Sequence, residues 1–99
     1  MKTDPILVVD DDEALREALV EALEVLPVEI TVAGGGAEAV RLLAERRFAV
    51  VVTDLVMKDT DGFAVLDAAR ETYANCRVVM LTGHGSRDVA VQAMERGAT

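Results

Sequence analysis

Apolar residues recur along the chain in two alternating rhythms. Residues 6–9 form a short apolar run that ends in three acids. Over 13–26, Leu15, Leu19, Leu23 and Leu26 fall at helical spacing with Glu17, Glu21 and Glu24 between them, which predicts an amphipathic helix stopped by Pro27. Residues 28–32 alternate as a strand and run into Gly34, Gly35 and Gly36. Residues 37–46 predict a second helix with Val40, Leu42 and Leu43 inward, closed by Arg46 and Arg47, since cations suit a helix C-terminus. Residues 48–52 are uninterruptedly apolar and mostly β-branched, as in a strand buried on both faces. A polar loop to Gly62 precedes a helix over 63–72, with Val65, Leu66 and Ala69 on one side. Residues 78–81 read as a fourth strand, and Ser86 can cap a last helix carrying Val89, Ala90, Ala93 and Met94, ending at Gly97.

The order is βαβαβαβα with short connections, which implies a parallel sheet covered by helices on both faces through right-handed crossovers. At 99 residues, with no internal linker or repeat, the chain is one domain.

Composition narrows the functional classes. No apolar run approaches the roughly 18–20 residues of a membrane span. The opening MKTDPILVVDDD lacks the charge order of a secretory signal. The single cysteine, Cys76, excludes an internal disulfide or a cysteine-clustered zinc site; it reads as a small buried hydrophobe in a cytoplasmic protein. The formal charge is −8, and residues 1–30 carry nine acids against Lys2 and Arg16. Such a surface is repelled by nucleic acid and by anionic lipid, so neither a nucleic-acid nor a membrane partner is expected for this segment.

In open sheets of this type, ligands sit beyond the carboxyl ends of the strands where the strand order reverses. The first strand ends in Asp10, Asp11 and Asp12, the third in Thr53 and Asp54, and the fourth in Thr82 and Gly83. If strands one and three are neighbours at that point, Asp10, Asp11 and Asp54 converge. Two carboxylates about 4 Å apart repel by about 4 kcal/mol at an effective dielectric of about 20, so a cluster of three stays ionised only with a cation. All-oxygen ligands with room for water suit Mg²⁺ or Mn²⁺. The competing reading is that the acids are solvated loop residues or caps, with Asp12 capping the first helix.

The segments ILVVDDDE, VVTDLVMKDTDGF and VVMLTGHGS, in that order and spacing, resemble the receiver domain of bacterial two-component response regulators, over Ile6 to Thr99. The resemblance implies a flavodoxin-like doubly wound fold with strand order 2-1-3-4-5, of which the given chain supplies 2-1-3-4. It implies that Asp54 is the phosphoacceptor and that Asp10 and Asp11 hold Mg²⁺, Asp11 directly and Asp10 through water. Asp54 and the backbone carbonyl of Val56 complete the metal set, and Thr82 is the switch hydroxyl. Met57 and Gly62 match the loop after the phosphorylation site.

The chemistry agrees. Phosphoryl transfer needs an in-line nucleophile and charge neutralisation on the moving oxygens. Asp54 would attack the phosphorus of a phosphohistidine on a sensor histidine kinase and become an acyl phosphate. The Thr82 hydroxyl would turn toward a phosphoryl oxygen and shift a two-state loop. The domain would thus be a signalling phosphoacceptor, catalysing no reaction but its own phosphorylation and dephosphorylation.

Two departures stand out. The family has proline where this chain has Lys58, so the loop there is expected to be less rigid. The family continues into a fifth strand bearing an aromatic residue, then a lysine that pairs with the phosphoryl group, then a fifth helix, none of which lies within the 99 residues. The expectation is therefore a receiver at the start of a longer protein, C-terminally incomplete as given, with an effector domain following and transcription as an output. An uncovered fourth-strand edge admits a homodimer.

Three other functions are weighed. Gly34–Ala39 fits G-x-G-x-x-A, with Asp54 twenty positions after Gly34, the dinucleotide-binding spacing, but the chain lacks the second half of such a sheet. Asp10-Asp11-Asp12 also fits the D-x-D of haloacid-dehalogenase-like phosphohydrolases, with Asp10 as nucleophile, yet the later lysine and acid pair are absent. The third is a receiver-like protein-interaction module that is never phosphorylated. His84 is an exposed loop residue in this reading, Asp59 and Asp61 are solvated loop acids or caps, and Tyr73 and Phe63 pack against the sheet or line its edge.

Overall fold

In a computed structural model, the structure describes residues 4–54, 57–59, 62–73 and 75–81, without the side chain of Leu81. They form β1 (Asp4–Val9), α1 (Glu13–Leu23), β2 (Val28–Ala33), α2 (Gly36–Glu45), β3 (Val50–Asp54), α3 (Gly62–Thr72) and β4 (Arg77–Leu81). The strands make one sheet, parallel as the alternation predicts and in the order β2-β1-β3-β4 that the resemblance implies. β1 pairs with β2 on one side and with β3 on the other, so the order reverses between β1 and β3. The last sequence-predicted helix, together with Val56, Asp61, Thr82 and His84, lies outside the described residues.

Because side chains alternate along a strand, the register sorts the sheet residues into two faces. Leu7, Val9, Ala33, Val51 and Val78 lie on one face and are fully buried against Ala39 and Leu43 of α2 and Val65, Leu66 and Ala69 of α3. Phe48, Met57 and Cys76 complete this core, and Leu42, Phe63, Tyr73 and Met80 pack on its margin. Ile6, Val8 and Val52 are buried on the other face, where α1 packs on β1 and β2. No residue of α1 is fully buried, and Val32 of β2 is 43% exposed. The two faces are thus unequally covered.

Several boundaries differ from the sequence expectation. α1 ends at Leu23 rather than running to residue 26. The Glu24 N–H still bonds Val20 O, but the Leu26 N–H bonds Leu23 O in a tighter turn, and Leu26, preceding Pro27, is disfavoured in helical geometry. Leu26 and Leu15 are about half exposed, so the leucine stripe is only partly used. In α2 the inward positions are Gly36, Ala39 and Leu43, with Leu42 half-buried, while Val40 lies on the exposed flank. β3 is shifted two residues along, to Val50–Asp54, because Phe48 turns into the core instead of joining the ladder. Ala49 nonetheless bridges the flanking strands, its N–H donating to Pro5 O and its carbonyl accepting from the Arg77 N–H. β3 is central, as its apolar run implies.

Candidate phosphoacceptor and cation site

The site grows from the ends of β1 and β3. Val9 pairs with Thr53, so the next residue of each strand is an aspartate, Asp10 and Asp54. The Asp10 N–H extends the ladder to Ala33 O, and Thr53, fully buried, turns its hydroxyl onto Asp54 O. Asp11 follows in the bend that leads to α1. One carboxylate oxygen from each of Asp10, Asp11 and Asp54 lies within 4.8 Å of the others.

The three acids are held differently. Asp10 is fully buried; its Oδ1 accepts the Asp12 N–H at 2.9 Å, and its Oδ2 is buried with no hydrogen-bond partner among the described residues. Burial pushes the Asp10 carboxyl above the ordinary range; the Asp12 N–H opposes that rise, and the neighbouring charges of Asp54, Asp11 and Asp12 add to it. Asp11 is half-buried, and its Oδ2 accepts the Lys58 N–H at 2.8 Å. Asp54 is half-buried at the end of its strand. Asp12 stands apart as the N-cap of α1, its Oδ1 accepting the Leu15 N–H at 3.2 Å, as the capping reading anticipated.

A buried carboxylate oxygen with no donor, beside two more carboxylates, is the arrangement a hard divalent cation satisfies. The donor set fits Mg²⁺: all oxygen, with two of the three carboxyl groups only half-buried and open to water. Among the described residues no histidine or thiol joins the group.

Three contributors were not legible in the motifs. Arg16 of α1 reaches back to donate from Nη1 to Asp10 O at 2.9 Å, fixing the acid-bearing turn. The Lys58 amide reaches Asp11 across the sheet end. Asp59, although a cap was one expectation for it, caps a helix more than twenty residues away: its Oδ1 accepts the Gly36 N–H at 3.1 Å and its Oδ2 the Ala37 N–H at 3.0 Å. The only hint in the sequence is that α2 begins in glycines with no capping side chain of their own.

These contacts and burials bear on the rival chemistries. In the dinucleotide reading, N–H groups at the start of α2 would cradle a pyrophosphate, but those of Gly36 and Ala37 are already bound to the Asp59 carboxylate. In the phosphohydrolase reading Asp10 would attack, but it is fully buried, whereas Asp54 is partly open.

A family model described as the response regulator receiver domain matches residues 6–99. The chain belongs to the response regulator receiver domain family. It is therefore a signalling domain of two-component systems, as the resemblance implied. It is 37% identical over 93 residues to the response regulator protein FleR of Pseudomonas aeruginosa, and 32% identical over 98 residues to the DNA-binding transcriptional regulator NtrC of Azospirillum brasilense. These alignments cover 94% and 99% of this receiver but 20% of each relative, so the chain spans about a fifth of their length. A response regulator structure from Burkholderia pseudomallei, containing a phosphorylated aspartic acid, a calcium ion and citrate, superposes with a TM-score of 0.89 at 28% identity, over 97% of this chain and 56% of that one. Among the described residues, no helix of the receiver is long and apolar enough to cross a membrane.

Proposed function

We propose that Asp54 accepts a phosphoryl group from a phosphohistidine of a sensor histidine kinase, with Mg²⁺ (or Mn²⁺) held by Asp10, Asp11, Asp54 and the backbone carbonyl of Val56. The observation that carries this reading is the convergence of three carboxylates from two adjacent strand ends, one with a buried, unpartnered oxygen. The phosphorylated aspartate and calcium ion of the Burkholderia pseudomallei relative support it.

An Asp54 oxygen attacks phosphorus, the N–P bond to the donor imidazole breaks, and an acyl phosphate forms. A bound divalent cation supplies charge neutralisation among the acids and on the transferring oxygens. Asp10, anchored by the Asp12 N–H, and Asp11, anchored by the Lys58 N–H, orient their carboxylates without needing to rearrange. Thr82, which follows Leu81 in the sequence, is the proposed switch hydroxyl that reads the phosphoryl group. The output is control of an effector domain in a longer cytoplasmic protein, with transcription favoured by the name of the NtrC relative.

The natural protein, incubated with Mg²⁺ and a small phosphodonor, is expected to gain one phosphoryl group by intact mass, and Asp54→Asn to gain none. Labelling that persists in Asp54→Asn and vanishes in Asp10→Asn would overturn the assignment in favour of a phosphohydrolase. No labelling of the wild type by either a small donor or a phosphorylated kinase would instead make the domain an unphosphorylated interaction module.

A further inference from the structure

Two consecutive residues of the segment after β3 bond to two different parts of the fold. The Lys58 backbone N–H donates to Asp11 Oδ2 at 2.8 Å. The next side chain, Asp59, accepts from the N–H groups of Gly36 and Ala37 in the first turn of α2. α2 has no cap of its own, since its N-cap is Gly35. A β-carbon on Gly35 would come within 3.1 Å of both Asp59 carboxylate oxygens, a tighter contact than side chains ordinarily make. The carboxylate also sits at the positive end of the helix dipole, where an anion is favoured.

We propose that Lys58 and Asp59 are positioning residues for the cation site, Lys58 through its amide and Asp59 through its grip on α2. This rests on reading Asp10, Asp11 and Asp54 as that site. A charge-assisted hydrogen bond to one oxygen of Asp11 restricts rotation of its carboxylate and still leaves it an oxygen with which to hold a cation. An amide on a free loop would do this poorly. Asp59 makes the amide a fixed point by tying the adjacent residue to the start of a helix in the packed core. Proline at position 58 would have no N–H to give, so the lysine that departs from the family's pattern supplies a contact which the usual residue cannot.

The test is Mg²⁺ titration calorimetry on the natural protein and four variants, with amide exchange at Lys58, Gly36 and Ala37 followed in parallel. Lys58→Pro, which deletes the donor, is expected to weaken Mg²⁺ binding about tenfold, as losing a partner of a metal ligand does. Lys58→Ala keeps the amide and should stay within about twofold of wild type, because only an exposed ammonium is lost. Asp59→Ala leaves the backbone at Lys58 unaltered, so it remains informative if proline distorts the loop. It should weaken Mg²⁺ by less than the roughly tenfold of Lys58→Pro, because it acts through Lys58 and not on Asp11 itself, with faster exchange at all three amides. Asp59→Asn, which keeps one acceptor oxygen, should recover part of that affinity. Unchanged Mg²⁺ affinity in Lys58→Pro and Asp59→Ala, with lowered thermal stability, would reduce the pair to a helix cap and overturn the proposal. Tighter binding in Lys58→Pro would also overturn it, because the amide would then be competing with the cation. A wild type that binds no Mg²⁺ would instead sink the cation-site reading itself, a result distinguishable from either.

Discussion

Asp10 Oδ1 accepts the Asp12 N–H at 2.9 Å, and Asp10 Oδ2 is buried with no partner among the described residues. Burial, first among the causes, raises its pKa in the folded state above the unfolded value of about 3.9. Between those two values the folded chain binds more protons than the unfolded chain, so stability falls as pH rises. The contribution is fully present below about pH 3.9 and lost once the pH passes the raised folded value. In the absence of divalent cations, Asp10→Asn should remove that fall and be more stable than wild type at neutral pH. Urea melts from pH 4 to 8 in chelator check this; parallel curves for the two proteins would show that Asp10 does not titrate in that window.

Asp11 and Asp12 are neighbours in sequence with separable roles. Asp12→Ala removes the α1 cap and should cost about 1 kcal/mol of stability while leaving Mg²⁺ affinity close to wild type. Asp11→Ala should lose Mg²⁺ affinity by a larger factor than Asp12→Ala and leave the cap intact. Calorimetric titration and denaturant melts on both variants test this, and equal Mg²⁺ affinity in Asp11→Ala and wild type would remove the direct-ligand role.

Gly35→Ala ordinarily stabilises at a site whose backbone suits alanine, and Gly35 is extended, with no positive φ. Here the added methyl meets the Asp59 oxygens, so the carboxylate must retreat from Gly36 and Ala37. A net loss of about 1 kcal/mol is expected, because hydrogen bonds to a charged acceptor outweigh the entropic gain. In an Asp59→Ala background the same substitution should be neutral or stabilising. A double-mutant cycle measures the coupling, and additive effects would mean that the two positions do not interact.

The order of the seven described elements and the parallel sheet were readable in advance, because they follow from periodicity, and the convergence of Asp10, Asp11 and Asp54 followed from which residues end the strands once the resemblance set strands one and three side by side. The inward face of α3 was equally plain, since Val65, Leu66 and Ala69 had no competing stripe. The leucine stripe of α1 misled about depth: periodicity states which way a helix faces, not how much lies over it. Likewise Ala39 took the inward place assigned to Val40, because direction from the helix axis decides burial before side-chain size does. Least visible were the Lys58 amide and the Asp59 cap. One is a backbone group, which leaves no mark in a motif, and the other bridges positions more than twenty residues apart.

The unequal covering of the two sheet faces has a kinetic side. Leu7, Val9 and Val51 are sealed beneath α2 and α3, so their amides should exchange with solvent only through global unfolding. α1 has no fully buried side chain to hold it down, and its amides should exchange through cheaper local openings. The acid-bearing turn at residues 10–12 is the seam between these two regimes. A ligand that spans Asp11 and Asp54 binds only while that seam is closed, so it lowers the population in which α1, the least buried of the described helices, is open.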